Sequence, residues 1–247
     1  MPVYNRQKYV AEAIDSILVQ TYKDFEFIIV DDCSTDQTLN IILTYKKKDQ
    51  RIRIIKNNQN LGIAISRNKG IDLAQGKYIA FMDSDDISLP ERFEKQIEFM
   101  DKNPEISVLG TQCEYIDLEG NFIRIKRVPL LPIEVRWYLY AKSIINPSVM
   151  VRSELFKLHN YRHINIKSAS DYEIWARISN KFLIGNLPDI LVKFRRHDLR
   201  ISKTARNNQK NNSYRIIRER MKKLTGIELT AAQIEGFRYT NHMKNIE

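Results

Sequence analysis

The sequence predicts an α/β fold with a mostly parallel central sheet flanked by helices. Between residues 8 and 82, helical and strand-like patterns alternate along the chain. Two strand-like runs end in clusters of acidic residues, and beyond residue 100 the pattern changes to successive strands. Alternating strands and helices build parallel sheets with right-handed crossovers, whereas successive strands indicate an α+β arrangement. At 247 residues, the chain fits one large domain with a small appendage.

The first half begins with a helix and continues in a strand–helix rhythm. Apolar residues at helical spacing predict a helix within residues 8–20, and the run from Phe25 to Val30 predicts a strand. Residues Ser34 to Gln37 match a capping box, which predicts that the next helix follows at once. The later elements predicted in this half are a strand at 52–55, a helix at 61–74 and a strand at 77–82.

The second half is interpreted as an α+β arrangement on the same core. Its predicted strands lie at 106–116, 122–125 and 148–151, and Asp117 to Asn121 fits a hairpin turn. The tail from Asn207 onward has a helical pattern without a clear core face. Three aromatic residues could line a groove or belong to an amphipathic helix on the sheet: Trp137, Tyr138 and Tyr140.

The net charge of +10 is confined to one late segment. Lys193 to Lys223 holds twelve basic and two acidic residues, whereas the other 216 residues hold 28 of each. A uniformly basic nucleic-acid binder would spread its charge over the fold, and this chain does not, so no nucleic-acid partner is expected. Instead, the segment predicts docking on an anionic membrane surface. The apolar edge of this helix would comprise Tyr214, Ile217, Met221 and Leu224, or would pack on the chain's own domain.

Membrane-spanning and secreted classes are not expected. No stretch approaches the roughly 18 consecutive apolar residues of a membrane span, and no basic region followed by an apolar run begins the chain. Cys33 and Cys113 cannot form a disulfide framework or a metal knuckle. The expected location is the cytoplasm, with peripheral attachment to the inner face of the membrane as a further expectation.

Acidic residues follow two of the predicted strands. Asp31 and Asp32 follow one, and Asp83, Asp85 and Asp86 follow another. Such residues can be helix caps, but in α/β sheets the carboxyl ends of the strands form the ligand edge. The Asp-x-Asp spacing brings together hard oxygen donors of the kind that Mg²⁺ and Mn²⁺ share with phosphates. The cluster therefore predicts a metal-bridged nucleoside diphosphate.

An ordered set of motifs resembles the family 2 glycosyltransferases. The resemblance covers roughly residues 1 to 203 and is specific because the pieces occur in the family's order. These pieces are Met1 to Asn5, Val30 to Asp36, Asn60 to Gly62, Ser66 to Gly70, Ala74 to Gly76, Phe81 to Asp86, Asn146 to Ser148, Asp171 to Trp175 and Arg195 to His197.

The resemblance implies a GT-A fold, which is Rossmann-like, and inversion at the anomeric carbon of the sugar. It also implies a nucleotide-sugar donor and a divalent metal, Mn²⁺ or Mg²⁺. By this resemblance, residues 1–203 form the glycosyltransferase domain and residues 204–247 a basic helical extension. Within the domain, residues 1–105 would bind the nucleotide-sugar and residues 106–203 the acceptor.

The resemblance also assigns individual roles. Pro2 and Tyr4 would border the nucleoside, and Asp32 would accept a hydrogen bond from the base. Arg67 would lie near the nucleotide, although it could equally be a surface helix residue. Asp83 would contact the ribose or a metal-bound water, and Asp85 would be the direct metal ligand. Asp171 would be the general base that deprotonates the acceptor hydroxyl.

Two residues keep two interpretations each. His197 could be a loop histidine or a second contact to the metal or diphosphate, for which Arg195 to His197 would close over the donor. Trp175 lies one helical turn after Asp171, where it could stack on an acceptor sugar or anchor the helix in the core.

Two departures from the family pattern concern the base and the start of the chain. Ser170 precedes Asp171 where the family usually has Glu, so a residue that might orient the acceptor is missing. Almost nothing precedes Pro2, so the first strand is expected to be vestigial or truncated.

The leading functional prediction is an inverting, metal-assisted transferase that uses a UDP-sugar and a glycan or lipid-linked acceptor. A nucleotidyltransferase that makes activated sugars would share the sheet and the acidic metal site. It usually needs a Gly-rich basic loop after the first strand, which Pro2 to Lys8 does not provide. A catalytically silent module that holds nucleic acid with its basic segment is the alternative from another class.

Overall fold

The computed structural model describes residues 1–166, 168–196 and 206–243. In its first half, three short strands form an all-parallel sheet in the order β1–β2–β3. Helices connect the strands, as the alternation of patterns predicts. The elements are β1 Pro2–Val3, α1 Val10–Leu18, β2 Phe27–Asp31, α2 Thr38–Lys48, β3 Ile52–Lys56 and α3 Ile63–Leu73.

The predicted capping box does not form. Helix α2 begins at Thr38, whose amide donates to Oδ1 of Asp36 (2.9 Å) rather than to a hydroxyl at position 34. Oγ of Ser34 accepts from the amide of Asn5 (3.0 Å) instead. The residues that resemble a cap therefore fasten the loop after β1 to the start of α2.

A second sheet of six strands runs through the rest of the domain. Its order is β4–β8–β6–β9–β5, and β7 pairs with β6 alone. The β6–β9 pairing is parallel, and the other pairings of this sheet are antiparallel. The strands are β4 Tyr78–Ala80, β5 Ile87–Ser88, β6 Ile106–Ile116, β7 Phe122–Lys126, β8 Met150–Arg152 and β9 Leu183–Arg195.

Most β-strand predictions are confirmed to within two residues, but β9, the longest strand described, was missed. Asp117 closes the β6–β7 hairpin as predicted, with Oδ1 accepting from the amides of Glu119 and Asn121.

Helices cover this sheet and extend to the end of the described chain. The helices are α4 Arg92–Lys102, α5 Pro132–Tyr138, α6 Glu154–Lys157, α7 Ser170–Ile178, α8 Arg206–Thr225 and α9 Ala231–Met243.

The basic tail is part of the core. Tyr214 and Ile217 of α8 and Ile234 of α9 are buried in the apolar cluster around α7. The expectation of a tail without a core face was therefore wrong. The apolar edge does not serve membrane contact, and the alternative, that it packs on the chain's own domain, is confirmed. Its apolar side chains recur at helical spacing on the side that faces α7. Of the four edge residues, Leu224 alone is exposed.

A cavity of about 530 Å³ lies beside the short strand β1. Ile28 and Val30 of β2 line one part of it, and Tyr78 to Ala80 of β4 line another. Strand β1 has two residues in the structure, which pair with Val30 and Asp31. In the described part of the chain, no helix is both long and apolar enough to cross a bilayer.

Candidate functional site

The acidic loop, Asp83 to Asp86, follows β4 and is held by hydrogen bonds to a side chain and to the backbone. The amide of Arg195 donates to Oδ1 of Asp86 (2.8 Å), and its Nε donates to the carbonyl of Asp85 (3.1 Å). On the strand side, the buried guanidinium of Arg92 donates to the carbonyl of Phe81 (2.9 Å). Burial lowers the pKa of Arg92 to about 9. This value still lies above neutral pH, so the guanidinium stays protonated there. The loop is thus fixed from both ends.

Two arginines pair with the two carboxylates of the Asp-x-Asp spacing. Arg67 NH2 lies 2.7 Å from Oδ1 of Asp83, and Arg6 Nε lies 3.3 Å from Oδ2 of Asp85. Arg67 is buried, so the interpretation of it as a surface helix residue is wrong. The Arg67 side chain faces the acidic loop, as expected of a residue near the nucleotide.

Arg6 is aimed at the acidic loop by an interlocked pair of loops. Asn5 adopts a left-handed backbone with φ of 50°. Oδ1 of Asn5 accepts from the amide of Thr35 (2.8 Å), and the amide of Arg6 donates to Oγ1 of the buried Thr38 (2.7 Å). Burial raises the pKa of Asp36, but hydrogen bonds from Thr38 and Gln7 lower it by more, which favours the ionised carboxylate that fastens these loops.

Asp32 is almost fully occupied by its own chain. Oδ1 accepts from Nδ2 of Asn57 (2.7 Å) and the amide of Leu61 (2.9 Å), and Oδ2 accepts from the amide of Gly62 (2.8 Å). Gly62 has φ of 87°, which an L side chain rarely adopts. Since a carboxylate offers about four acceptor positions, one stays available for a base. Asn57 also donates to Oγ of Ser66, which joins Asp32 to the helix that carries Arg67.

The other two residues predicted to border the nucleoside lie beside Asp32. Pro2 pairs with Val30 at the parallel edge, and the amide of Asp32 donates to the carbonyl of Val3 (2.8 Å). Tyr4 is 42% exposed and follows directly, so its ring is accessible for stacking. The structure therefore brings Pro2, Tyr4, Asp32, Arg67, Asp83 and Asp85 to one end of the parallel sheet.

Asp171 lies in the first turn of helix α7, and its Oδ1 accepts from the amide of Tyr172 (3.1 Å). The helix is anchored by Trp175, whose ring packs edge-on against Phe81 at 5.6 Å between centroids. Trp175 is 0% exposed, so the acceptor-stacking interpretation is wrong and the core interpretation is right. Its bulky apolar ring fills the space between α7 and the strand that leads to the acidic loop.

His163 is buried beneath this region. Its ring packs on Phe81 and Trp175, and neither ring nitrogen has a hydrogen-bond partner. Burial, and then the nearby charge of Arg67, hold the pKa of His163 well below its usual range. The histidine therefore enters the core as a neutral ring.

The expectation that Arg195 closes over the donor was wrong. Arg195 is 2% exposed and donates to the carbonyl of Leu118 (2.8 Å) and to the carboxylate of Glu12. These contacts bury its guanidinium against the acidic loop and occupy its donors with groups of the chain. His197, predicted as a metal contact, lies outside the described residues.

Two of the three aromatic residues near α5 belong to the core. Tyr138 and Tyr140 are buried, and Arg220 of α8 stacks 4.2 Å from the ring centroid of Tyr140. Trp137 is 55% exposed. The helix-packing interpretation therefore holds for the two tyrosines, and Trp137 alone keeps a surface accessible to an acceptor.

Comparison with known families decides what this site belongs to. The model of the family described as glycosyl transferase family 2 matches residues 1–164. The chain belongs to this family. An uncharacterised glycosyltransferase of Methanocaldococcus jannaschii is 40% identical over 200 residues, which cover 79% of this chain and 69% of that protein.

Solved structures agree with the fold of this family 2 glycosyltransferase. TarS 1–349 of S. aureus in complex with UDP-GlcNAc superposes with a TM-score of 0.71 at 24% identity, over 96% of this chain and 68% of that one. A mannosyltransferase of Pyrobaculum calidifontis, in complex with GDP-Man and Mn²⁺, gives 0.70 at 15% identity, over 96% and 67%. At these identities the likeness shows the fold, and the predicted GT-A class is confirmed.

As a family 2 glycosyltransferase, the protein is an enzyme that transfers sugars from nucleotide sugars. Family membership favours this activity over the nucleotidyltransferase and the nucleic-acid-binding module. Within the described residues, no group of three His, Cys, Asp or Glu side chains could hold a metal ion. The donor set of Asp83 and Asp85 instead fits an ion that takes further oxygen ligands from a diphosphate.

Three contributors to the site of this glycosyltransferase were missed in the sequence. Arg6 stands two residues after Tyr4 and directly follows the motif Met1 to Asn5, and its charge in that loop was the available signal. Asn57 links Asp32 to Ser66, and Glu12 holds Arg195. Neither has a local signal, because both act through partners distant in sequence.

Proposed function

We propose that the enzyme is an inverting glycosyltransferase that moves a sugar from a UDP-sugar to a hydroxyl of a glycan or lipid-linked acceptor. The observation that carries the proposal is the placement of Asp83 and Asp85 on a fixed loop at one end of the parallel sheet β1–β2–β3. There Asp83 pairs with Arg67, and Asp85 pairs with Arg6. In the proposed division, residues 1–105 bind the donor, residues 106–203 the acceptor, and residues 204–247 form a basic extension.

The nucleoside is proposed to lie between Tyr4 and Asp32. Pro2 and Tyr4 would border the base, and Oδ2 of Asp32, with one chain donor, would accept its ring N–H. Arg67 would lie near the nucleotide, where its positive charge faces the negative charge of the donor. Asp83 would contact the ribose or a metal-bound water. The UDP-GlcNAc complex of TarS supports uridine, and the GDP-Man complex of the mannosyltransferase names the alternative.

A divalent ion, Mn²⁺ or Mg²⁺, is proposed to bind Asp85. The Mn²⁺ complex of the mannosyltransferase supports this assignment, since both chains share the fold. When bound, the ion would neutralise the diphosphate as its bond to the sugar breaks. His197 is proposed as a second contact to the ion.

Asp171 is proposed as the general base. A sugar hydroxyl is a poor nucleophile, and a carboxylate within hydrogen-bond reach takes its proton as the C1–O bond to the diphosphate breaks, contributing about 10²- to 10⁴-fold. The hydroxyl attacks from the face opposite the diphosphate, so one displacement inverts the anomeric carbon. Trp175 and Phe81 set the position of Asp171 relative to the acidic loop through their ring contact.

The basic extension is proposed to place the enzyme at an anionic membrane surface on the cytoplasmic side. With Tyr214 and Ile217 buried, the contact would be electrostatic, through exposed residues such as Arg215 and Lys223. A lipid-linked acceptor would then share a surface with the enzyme.

A donor screen tests the proposed function. UDP-, GDP- and dTDP-sugars are added with Mn²⁺ or with a chelator, and thermal stabilisation and donor hydrolysis are measured. The proposal expects stabilisation and hydrolysis with a UDP-sugar that the chelator abolishes and that Asp85→Asn lacks. Metal-independent stabilisation, or an unchanged response of the variant, would contradict the assignment of the ion to Asp85.

A further inference from the structure

Arg6 Nε contacts the same carboxylate, Asp85, that the proposed metal ion would use. The pair is partly buried, with side-chain exposures of 20% for Arg6 and 8% for Asp85. A guanidinium and a divalent ion cannot both sit against Oδ2 of Asp85, because each carries positive charge and fills the space in front of the oxygen. Binding of the ion through this oxygen therefore requires Arg6 to leave it.

The loop that carries Arg6 restricts where its guanidinium can go. The Arg6 amide is fixed to Thr38, Asn5 is fixed to Thr35 and the amide of Gln7 donates to Asp36 (3.2 Å). The guanidinium also donates to the carbonyl of Asn5 (3.0 Å). With its backbone held, Arg6 can leave Asp85 only by a change of its side-chain rotamer.

We propose that Arg6 makes metal and donor binding interdependent, by exchanging the carboxylate of Asp85 for the diphosphate of the donor. This inference rests on the proposed function. The metal alone must displace Arg6 and leave it without its carboxylate. With the donor present, the planar guanidinium gains phosphate oxygens, which suit its fork of N–H donors. Each ligand thus removes part of the cost of binding the other, which is positive coupling between two sites.

A purely structural role for Arg6 predicts a different behaviour. In that case its contacts with Tyr4 and Asn5 carbonyls would staple the loop, and removing them would lower stability without altering the coupling between ligands. The readout must therefore be the affinity for Mn²⁺ alone compared with the affinity in the presence of UDP.

The experiment measures free Mn²⁺ by electron paramagnetic resonance, with and without saturating UDP, on the parent, Arg6→Gln and Arg6→Met. Arg51→Gln is the matched control, because Arg51 also forms a partly exposed ion pair, with Asp49 at 2.7 Å, away from the acidic loop. Thermal unfolding identifies the variants that are folded, and Arg6→Met keeps a long side chain should Arg6→Gln unfold.

The proposal expects the Arg6 variants to bind Mn²⁺ alone about two- to fivefold more tightly, as for loss of a partly exposed ion pair. It also expects the enhancement of Mn²⁺ binding by UDP, about fivefold or more in the parent, to shrink. Arg51→Gln should match the parent. Unchanged Mn²⁺ affinity and coupling in the Arg6 variants would overturn the role of Arg6 alone. A parent that binds no Mn²⁺ with UDP would overturn both this role and the proposed metal site.

Discussion

Nε1 of Trp175 donates a hydrogen bond of 3.1 Å to Oδ1 of Asn146. Asn146 begins a 3-10 turn, Asn146–Ser148, and the following carbonyl, of Val149, accepts from the amide of Phe81 (2.8 Å). The helix that carries Asp171 and the strand that leads to Asp83 are therefore fastened to the same turn. Two motifs that are separate in the sequence act as one support for the proposed base and the acidic loop.

Replacing Trp175 with Phe should destabilise the protein. The change leaves the buried Oδ1 of Asn146 without its donor and opens space beside Phe81, so the free energy of unfolding should fall by about 2 kcal/mol or more. Trp137→Phe, at an exposed position, should change it by less than about 0.5 kcal/mol. Urea unfolding followed by circular dichroism measures both. If Trp175→Phe and Trp137→Phe lower the free energy of unfolding equally, the buried contacts of Trp175 do not contribute to stability beyond those of an exposed ring.

Asp85→Ala should abolish the metal-dependent part of donor binding. The variant loses an oxygen ligand for the ion, so the diphosphate charge stays uncompensated. Calorimetry with UDP, with and without Mn²⁺, measures the effect, and Asp49→Ala removes a similar ion pair elsewhere as a control. Undiminished affinity of Asp85→Ala in Mn²⁺ would place the ion on other residues.

Asp171→Asn should cut transfer by about 10²-fold or more while donor affinity stays nearly unchanged. The replacement keeps the shape of the side chain but cannot take a proton. Glu173 is the nearest alternative base, but its carboxylate is held by Arg177 at 2.8 Å, so Glu173→Gln should have the smaller effect. Initial rates with the donor found in the screen and UDP calorimetry separate the two quantities. A rate within a few-fold of the parent would show that Asp171 is not the base.

The strands that the sequence predicts well are those whose signal lies in neighbouring residues. Strand β6 was predicted with its observed bounds, 106–116, since strand-forming residues continue on both sides of Gly110 and no proline interrupts the run. Strand β9 was missed because Gly185 and Pro188 interrupt its pattern. Its conformation is set by pairing with β6, more than 70 residues earlier in the chain.

The two arginines of the acidic loop show why side-chain roles were harder to predict. Arg195 carried the family resemblance and was expected at the donor, yet Glu12, 183 residues away, holds it against the loop. Arg6 was not singled out, although it faces Asp85. Both side chains are arginines that lie near acidic residues. Which of them faces the carboxylate of Asp85 depends on partners distant in the sequence, and motif spacing does not include those partners.

Membrane binding through the tail should be electrostatic. Arg215, Lys222 and Lys223 are exposed, whereas Arg218 donates to the carbonyl of Leu229 (3.0 Å) and is left out of the variant. Each basic residue near an anionic surface contributes about 1 kcal/mol, so changing the three to Ser should release the protein from anionic vesicles at low salt. Co-sedimentation measures this.

The matched control for the tail changes three exposed lysines of α2, Lys46 to Lys48, to Ser. It removes the same number of charges and should leave vesicle binding largely intact. Pelleting that is equal with neutral and anionic vesicles, or equal losses in both variants, would contradict docking by the tail.

The buried ring of His163 should make stability depend on pH. Its folded-state pKa is depressed by burial first and by the charge of Arg67 next, and the charge of Arg177 adds to this. Below pH about 6.5 the unfolded chain binds a proton that the folded ring refuses, so stability present at neutral pH is lost as the pH falls. The loss attributable to His163 should grow steadily as the pH falls from 7 to 5. His163→Phe cannot take the proton, so its free energy of unfolding should fall less over this range.

His159→Phe is the control, because His159 is an exposed histidine, and this variant should follow the parent. Urea unfolding at a series of pH values measures the three slopes, and a parent-like slope in His163→Phe would show that other groups cause the loss at acid pH.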